Sequence, residues 1–485
     1  MVFDAVFPLH QDWEVLSLGE VCQRGGGNVQ TGPFGSQLHA SDYVAEGIPS
    51  VMPQNIGDNK ILEGNIARIT EADAQRLSKY RLRKGDIIYS RRGDVERRAL
   101  VRESEEGWLC GTGCLRIRFG EGIVYPKYAA HYLGHPAVRE WIVRHAHGAT
   151  MPNLNTAILS ELPFVLPPWA VQVSIGDAIE LYDQKIDLNR RINQTLEAMA
   201  QAIFKSWFVD FDPVKAKIAA IAQGQDPLRA AMRAISGKTD AELDQMPRDQ
   251  YDQLATTAAL FPDAMEESEL GEIPKGWEVT SLSKMTQLIG GGTPKRSESS
   301  YWGGNIPWFS IRDVPDDGDV WVVDTEEKIT ETGLQKSSTK LLREGTAIIS
   351  ARGTVGKLAL VGKEMAMNQS CYGVAGAQGV GDYFNYFNLK EAVETLKRNT
   401  HGAVFDTITQ TTFETVLCVK PDSLVIGKFE NIVAPLLKGI RSNVFQNRKL
   451  AKLRDTILPE LLSGNIYVGK MILEEINNEP LPLFS

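Results

Sequence analysis

Lys84–Gly93 reads KGDIIYSRRG, and Glu344–Gly353 reads EGTAIISARG. Each places a short apolar run of β type before a Ser-x-Arg-Gly turn, and the register holds beyond it, through Ala99-Leu100-Val101 and Ala359-Leu360-Val361. Working outward, the matches continue in order. Trp13-Glu14-Val15-Leu16-Ser17-Leu18 returns as Trp277-Glu278-Val279-Thr280-Ser281-Leu282, and Gly25-Gly26-Gly27 is echoed by Gly290-Gly291-Gly292. Ile48-Pro49 returns as Ile306-Pro307, His147-Gly148-Ala149 as His401-Gly402-Ala403, and Pro167 as Pro421. Many short matches in one order, spaced about 255–265 residues apart, define an internal repeat. Within each copy, β-type runs (Asp86–Ser90 and Leu115–Phe119; Ala347–Ser350 and Leu358–Val361) alternate with turns and with helical stretches such as Tyr128–His145. The pattern predicts a compact mixed α/β domain of the α+β kind, made twice.

Each copy then ends in a long helix. Apolar positions step by four and three along Ile175, Ile179, Tyr182, Ile186, Asn189, Asn193, Leu196, Ala200, Ile203 and Trp207. The second series is Phe429, Val433, Leu436, Ile440, Asn443, Asn447, Leu450, Arg454, Ile457 and Leu461. Such spacing marks a coiled-coil seam, and asparagine inside a seam lowers stability while fixing register. An antiparallel, pseudo-twofold pairing that sets Ile175 opposite Leu461 also sets Asn189 opposite Asn447 and Asn193 opposite Asn443, so the polar layers meet. The expected domains are 1–168 and 273–422 for the α/β copies, and 169–210 and 423–464 for the helices. An acidic helical insertion (211–272) and a tail (465–485) complete the chain.

Composition narrows the function. The chain has 485 residues and a formal net charge of −9, unevenly spread. Residues 76–102 carry ten Lys/Arg against three Asp/Glu, whereas 210–272 carry thirteen acids against six bases. The first segment suits phosphate; the second is a solvated acidic insert. There is no apolar run of the roughly 20 residues that span a bilayer, and no signal-peptide pattern, so a cytoplasmic protein without membrane contact is expected. Five sparse cysteines fit a reducing compartment, and Cys110/Cys114 lack zinc-knuckle spacing. His131/His135 and His145/His147 have no partnering thiolate or carboxylate cluster, so they read as packing and surface histidines and no metal is expected.

Taken together, the Trp-Glu-Val starts, the GGGTP turn at Gly290–Pro294, the S-x-R-G-x-x-G-K segment at Ser350–Lys357, and the stretches Leu196–Asp212 and Leu453–Asn465 resemble the specificity subunits of type I restriction–modification enzymes. The resemblance covers nearly the whole chain. It implies two target-recognition domains, each reading half of a split site on double-stranded DNA and held apart by two helices. It also implies two methylation subunits and restriction/translocation subunits as partners. S-adenosylmethionine, ATP and magnesium would belong to those partners, leaving no cofactor here. The insertion is given no role.

A DNA reader needs cations for phosphate and oriented side chains for base edges. In the first domain the candidates are Arg81, Arg83, Arg91 and Arg92, with Ser36, Gln37, Gln54 and Asn55 as loop residues, since amides suit adenine. Lys84, Arg97, Arg98 and Arg102 complete its basic segment. In the second they are Thr293, Lys295, Arg296, Arg312, Arg352, Thr354 and Lys357. Arg91/Arg92 and Arg352 stand where a strand ends in a tight turn, either reading DNA or pairing with carboxylates such as Asp94. Catalytic readings fail on their motifs. Gly353–Lys357 imitates a P-loop, but Leu358 stands where Ser/Thr must hold magnesium. Leu166-Pro167-Pro168-Trp169 resembles the motif of adenine methyltransferases without its leading Asn or Asp. No catalytic residue is expected; a DNA adenine methyltransferase and a scaffold that binds no DNA are the alternatives.

Overall fold

The computed structural model describes residues 13–148, 152–316, 318–399 and 407–466. The second His-Gly-Ala, His401–Ala403, and most of the tail lie outside them. The chain forms two compact units, one of residues 1–186 with 449–481, the other chiefly of residues 187–448. Four helices recur below: α1 (Pro126–Gly134), α2 (Trp169–Phe208), α3 (Asp382–Asn399) and α4 (Ser423–Ser463).

In the first unit, Trp13-Glu14-Val15 begins a strand, Glu14–Ser17, that pairs antiparallel with Pro163–Leu166 just before α2. In the second, Glu278–Ser281 pairs in the same way with Leu417–Lys420 just before α4. The repeated sequence therefore makes the same closure twice. The first unit's main sheet is antiparallel, in the order Gly26–Thr31, Cys114–Gly120, Ile87–Ser90, Arg98–Leu100. A second sheet of four short strands carries Ile48–Val51, the run after the first Ile-Pro. The second unit repeats the order as Thr286–Gly290, Cys371–Gly376, Ala347–Ser350, Leu358–Val361 and adds Trp321–Val322 in parallel at the edge. Its companion sheet has three strands centred on Trp302–Phe309. Ile87, Ile88 and Tyr89, like Ala347, Ile348 and Ile349, are buried, because each run is a central strand covered on both faces.

The single helix expected over Tyr128–His145 is two, α1 and Pro136–His145. Proline disfavours the helical conformation in the residue before it, and His135 is extended (ψ 138°).

The long helices are continuous over 40 and 41 residues, and they pair antiparallel within each unit. In the second unit Asn189 Nδ2 donates to Asn447 Oδ1 at 2.8 Å and to Gln446 Oε1 at 2.7 Å. Asn443 Nδ2 donates to Asn193 Oδ1 at 2.9 Å, and Asn193 Nδ2 to Asp319 Oδ1 at 2.8 Å. In the first unit Tyr182 and Ile186 pack with Leu450, and Arg454 pairs with Asp183 at 2.6 Å. The seam drifts in the second unit: Phe204 and Leu437 are buried, while Ile203 and Leu436 are only partly so. The reason is the aromatic cluster of Phe204, Trp207, Phe208, Phe384, Phe387 and Phe429, which packs α3 onto the helix pair and widens its buried face. The insertion folds into four helices between Asp212 and Ala259 with a small core around Ala231, Met232, Leu243 and Ala258. Among the described residues no helix is long and apolar enough to cross a membrane.

Candidate nucleic-acid interface

The Arg-Gly turns are built alike. Strand Ile87–Ser90 ends where Ser90 Oγ donates to the Arg92 carbonyl at 2.9 Å, and Gly93 takes φ +73°. Leu154 N donates to the Arg91 carbonyl at 2.9 Å, and Arg92 bridges Asn153, so a neighbouring segment clamps the turn. In the second unit Ser350 Oγ accepts from Lys357 N at 2.8 Å and donates to the Thr354 carbonyl. Gly353 takes φ +77°, Ile408 N donates to the Ala351 carbonyl at 2.9 Å, and Arg352 bridges Thr407. The left-handed conformation at Gly93 and Gly353 is where glycine replaces any side-chain-bearing residue. Each turn therefore presents one arginine, Arg92 or Arg352, from a hydrogen-bonded strand end. Both are exposed, and neither has an acidic partner within ion-pair distance among the described residues. Thr354 and Lys357 are exposed on the second turn, and Lys357 is likewise unpaired.

The remaining cations divide by their partners. Arg83 is exposed and unpaired among the described residues. Arg81 reaches Glu71 at 2.5 Å and the Ala74 carbonyl. Lys84 pairs with Glu103 at 2.9 Å, and Arg97, not Arg92, takes Asp94, also at 2.9 Å. Arg98 is buried, donating to the Ala130 carbonyl and to Asp58. Arg102 donates to the Asn59 carbonyl and pairs with Glu180 at 3.2 Å. The sequence run is densely basic, yet much of its charge is structural. Arg91 is half-buried, its guanidinium 5.8 Å from the Phe34 ring centre.

Of the loop residues, Ser36 and Gln54 are exposed. Gln37 Oε1 accepts from Phe34 N at 3.2 Å and Tyr80 Oη at 2.7 Å. Asn55 is fully buried; it accepts from Met52 N and donates to the Leu62 and Gly64 carbonyls. Its amide holds a turn and has no access to a base. Thr293 bonds Gln369, and Lys295 lies 3.6 Å from Glu298. Arg296 pairs with Glu327 over Trp302, and Arg312 has only a loose 3.9 Å contact with Glu326.

One cluster was invisible along the chain. His131 on α1 meets Glu180 and Asp183 on α2, with possible ligand atoms within 4.8 Å of one another. Its Nε2 faces Glu180 Oε2 at 3.7 Å, and neither atom has a hydrogen-bond partner among the described residues. Arg102 and Arg454 each pair with one of the two carboxylates. The i, i+3 carboxylates were the available signal, but the histidine comes from a distant helix. Four of the five thiols are buried and Cys418 is half-buried, and burial pushes Cys110 up to about 12.

Two repeated α/β domains joined to an antiparallel helix pair, each presenting from a clamped turn an arginine with no acidic partner among the described residues, are the build of a two-part recognition protein. The sequence pattern of the family described as "Type I restriction modification DNA specificity domain" matches residues 10–198 and 274–416. The HindI specificity subunit of Haemophilus influenzae is 31% identical over 475 residues, covering 94% of this chain and all of that protein. The MjaIX specificity subunit of Methanocaldococcus jannaschii is 22% identical over 471 residues, covering 95% of each. The crystal structure of the type I restriction–modification S subunit from M. genitalium shares the fold, with a TM-score of 0.51 at 14% identity over 93% of this chain and 97% of that one. The chain belongs to this family, the specificity subunits of type I restriction–modification systems.

Proposed function

We propose that each α/β domain reads one half of a bipartite sequence on double-stranded DNA, and that α2 and α4 set the spacing between the halves. The observation that carries the reading is the pair of matched turns bearing Arg92 and Arg352. A cation held on a hydrogen-bonded turn, without an acid among the described residues, suits a polyanion, and its recurrence in both copies suits two half-sites on one duplex. Arg83 and Lys357 add to the same electrostatic footprint. By itself the chain is non-catalytic. It directs two methylation subunits and the restriction/translocation subunits, which bring S-adenosylmethionine, ATP and magnesium. The chain works in the cytoplasm, where that DNA lies.

The test is selection of a randomised duplex library by the full-length chain, read by sequencing. The expected result is a motif in two parts separated by a fixed non-specific gap. A single uninterrupted motif would refute reading by two domains, and no enrichment would favour a scaffold that binds no DNA. Cofactor-dependent methylation by the purified chain alone would refute its non-catalytic role.

A further inference from the structure

Reading a guanine needs more than positive charge. Its O6 and N7 accept together from two parallel N–H groups of one guanidinium, so the arginine must be held in a fixed plane with one donor edge open. A phosphate contact has no such requirement. The candidate cations of the second domain can be sorted by this criterion. Arg352 and Lys357 are exposed without acidic partners among the described residues, and Arg312 is 76% exposed with its acid 3.9 Å away. None of these three is oriented by a close ion pair.

Arg296 differs. Its guanidinium lies 3.9 Å from the centre of the Trp302 ring and 5.0 Å from that of Trp308, and the two rings meet edge to face. Nη1 and Nη2 each donate to one oxygen of Glu327, the second bond at 2.9 Å. This end-on pair leaves the side edge of the fork, Nε and the outer proton of Nη2, without a hydrogen bond among the described residues. The support is itself tied down: Trp302 Nε1 donates to the Lys295 carbonyl at 3.3 Å and Trp308 Nε1 to the Gly292 carbonyl at 3.0 Å. Despite these contacts the Arg296 side chain is 54% exposed. A ring on its face, a carboxylate on its end and an open donor edge make a preorganised fork.

Resting on the DNA reading above, we propose that Arg296 is a specificity-determining residue that reads a guanine edge in the second domain's half-site, with Trp302 and Glu327 as positioning residues. The ion pair is retained on binding, because guanine takes the edge that Glu327 leaves open.

The experiment is the randomised-duplex selection with the full-length chain, repeated for Arg296→Lys, Arg296→Ala and Glu327→Gln, with thermal unfolding of each to check the fold. Arg296→Lys keeps the charge and loses the fork. It is expected to lower discrimination at one G·C position, in one half-site only, by about tenfold to a hundredfold. The salt dependence of binding should stay as in wild type. Arg296→Ala should relax the same position, and Glu327→Gln should relax it partly. A wild-type motif with two parts but no required G·C pair overturns the inference alone. So does Arg296→Lys that leaves every position unchanged, or a variant that weakens all sequences equally. If wild type enriches no motif, the DNA reading itself falls and this inference with it.

Discussion

Replacing Asn189 with leucine is expected to destabilise the helix pair more than replacing Asn447, although the two share one hydrogen bond. Asn189 Nδ2 donates to both Asn447 Oδ1 and Gln446 Oε1, whereas Asn447 Nδ2 is buried with no hydrogen-bond partner among the described residues. Asn447→Leu breaks one bond, leaves Asn189 bonded to Gln446 and removes an unsatisfied donor, so a cost of about 0.5–1 kcal/mol is expected. Asn189→Leu leaves both polar atoms of Asn447 unpaired at 9% exposure, for a cost of about 2–3 kcal/mol. The double leucine variant removes every polar atom of this asparagine pair and should be neutral or stabilising, a coupling in the mutant cycle of at least about 2.5 kcal/mol. Native-state hydrogen exchange of the helix segments around 185–200 and 440–450 measures these opening free energies directly. Equal costs for the two single variants, or a double variant destabilised by their sum, would refute the assignment of the layer.

Three further outcomes are expected. Arg92→Ala and Arg352→Ala should each weaken binding to all duplexes and lower the slope of log affinity against log salt by about 0.9, with thermal stability unchanged; an unaltered slope argues against phosphate contact. Four residues inserted within α2 add about 6 Å, so the gap in the selected motif should widen by one or two base pairs with both halves intact. An unchanged gap in an active protein would remove the helices as the ruler. Glu430 on α4 accepts from Phe384 N at the start of α3, and burial, with Asp382 nearby, pushes its carboxyl up from 4.5 to about 7. Native protein then binds the proton more tightly than unfolded protein, so this group's contribution to stability falls as pH rises from about 4.5 to about 7. Glu430→Gln, which keeps an acceptor and removes the charge, should therefore gain stability relative to wild type at pH 8 and not at pH 5, as read by thermal unfolding. The opposite trend would refute the assignment.

The repeat, the strand-ending turns and the helix seams were legible because they depend on periodicity and local chemistry. Burial on one face recurs every three or four residues in any paired helix, and a Ser-x-Arg-Gly turn needs its glycine wherever it stands. The asparagine layers were legible for the same reason, since a seam position specifies its opposite number once the direction is chosen. The break at His135 was missed although Pro136 announced it, because the apolar pattern carries on across the proline. Which arginines face solvent could not be read from the chain. Arg83, Arg98 and Arg102 look equivalent within one basic run, yet only the first is free of acids among the described residues. Arg98 and Arg102 are claimed by Asp58 and Glu180, the latter 78 residues further along the chain. Asn55 likewise lies on a polar turn but is sealed inside it. The cluster of His131 with Glu180 and Asp183, and the seating of Arg296 between Trp302 and Glu327, are products of tertiary packing alone. Sequence spacing determines which face of an element is apolar; the partner of a long, flexible charged side chain depends on which distant carboxylate the fold brings within a few ångströms.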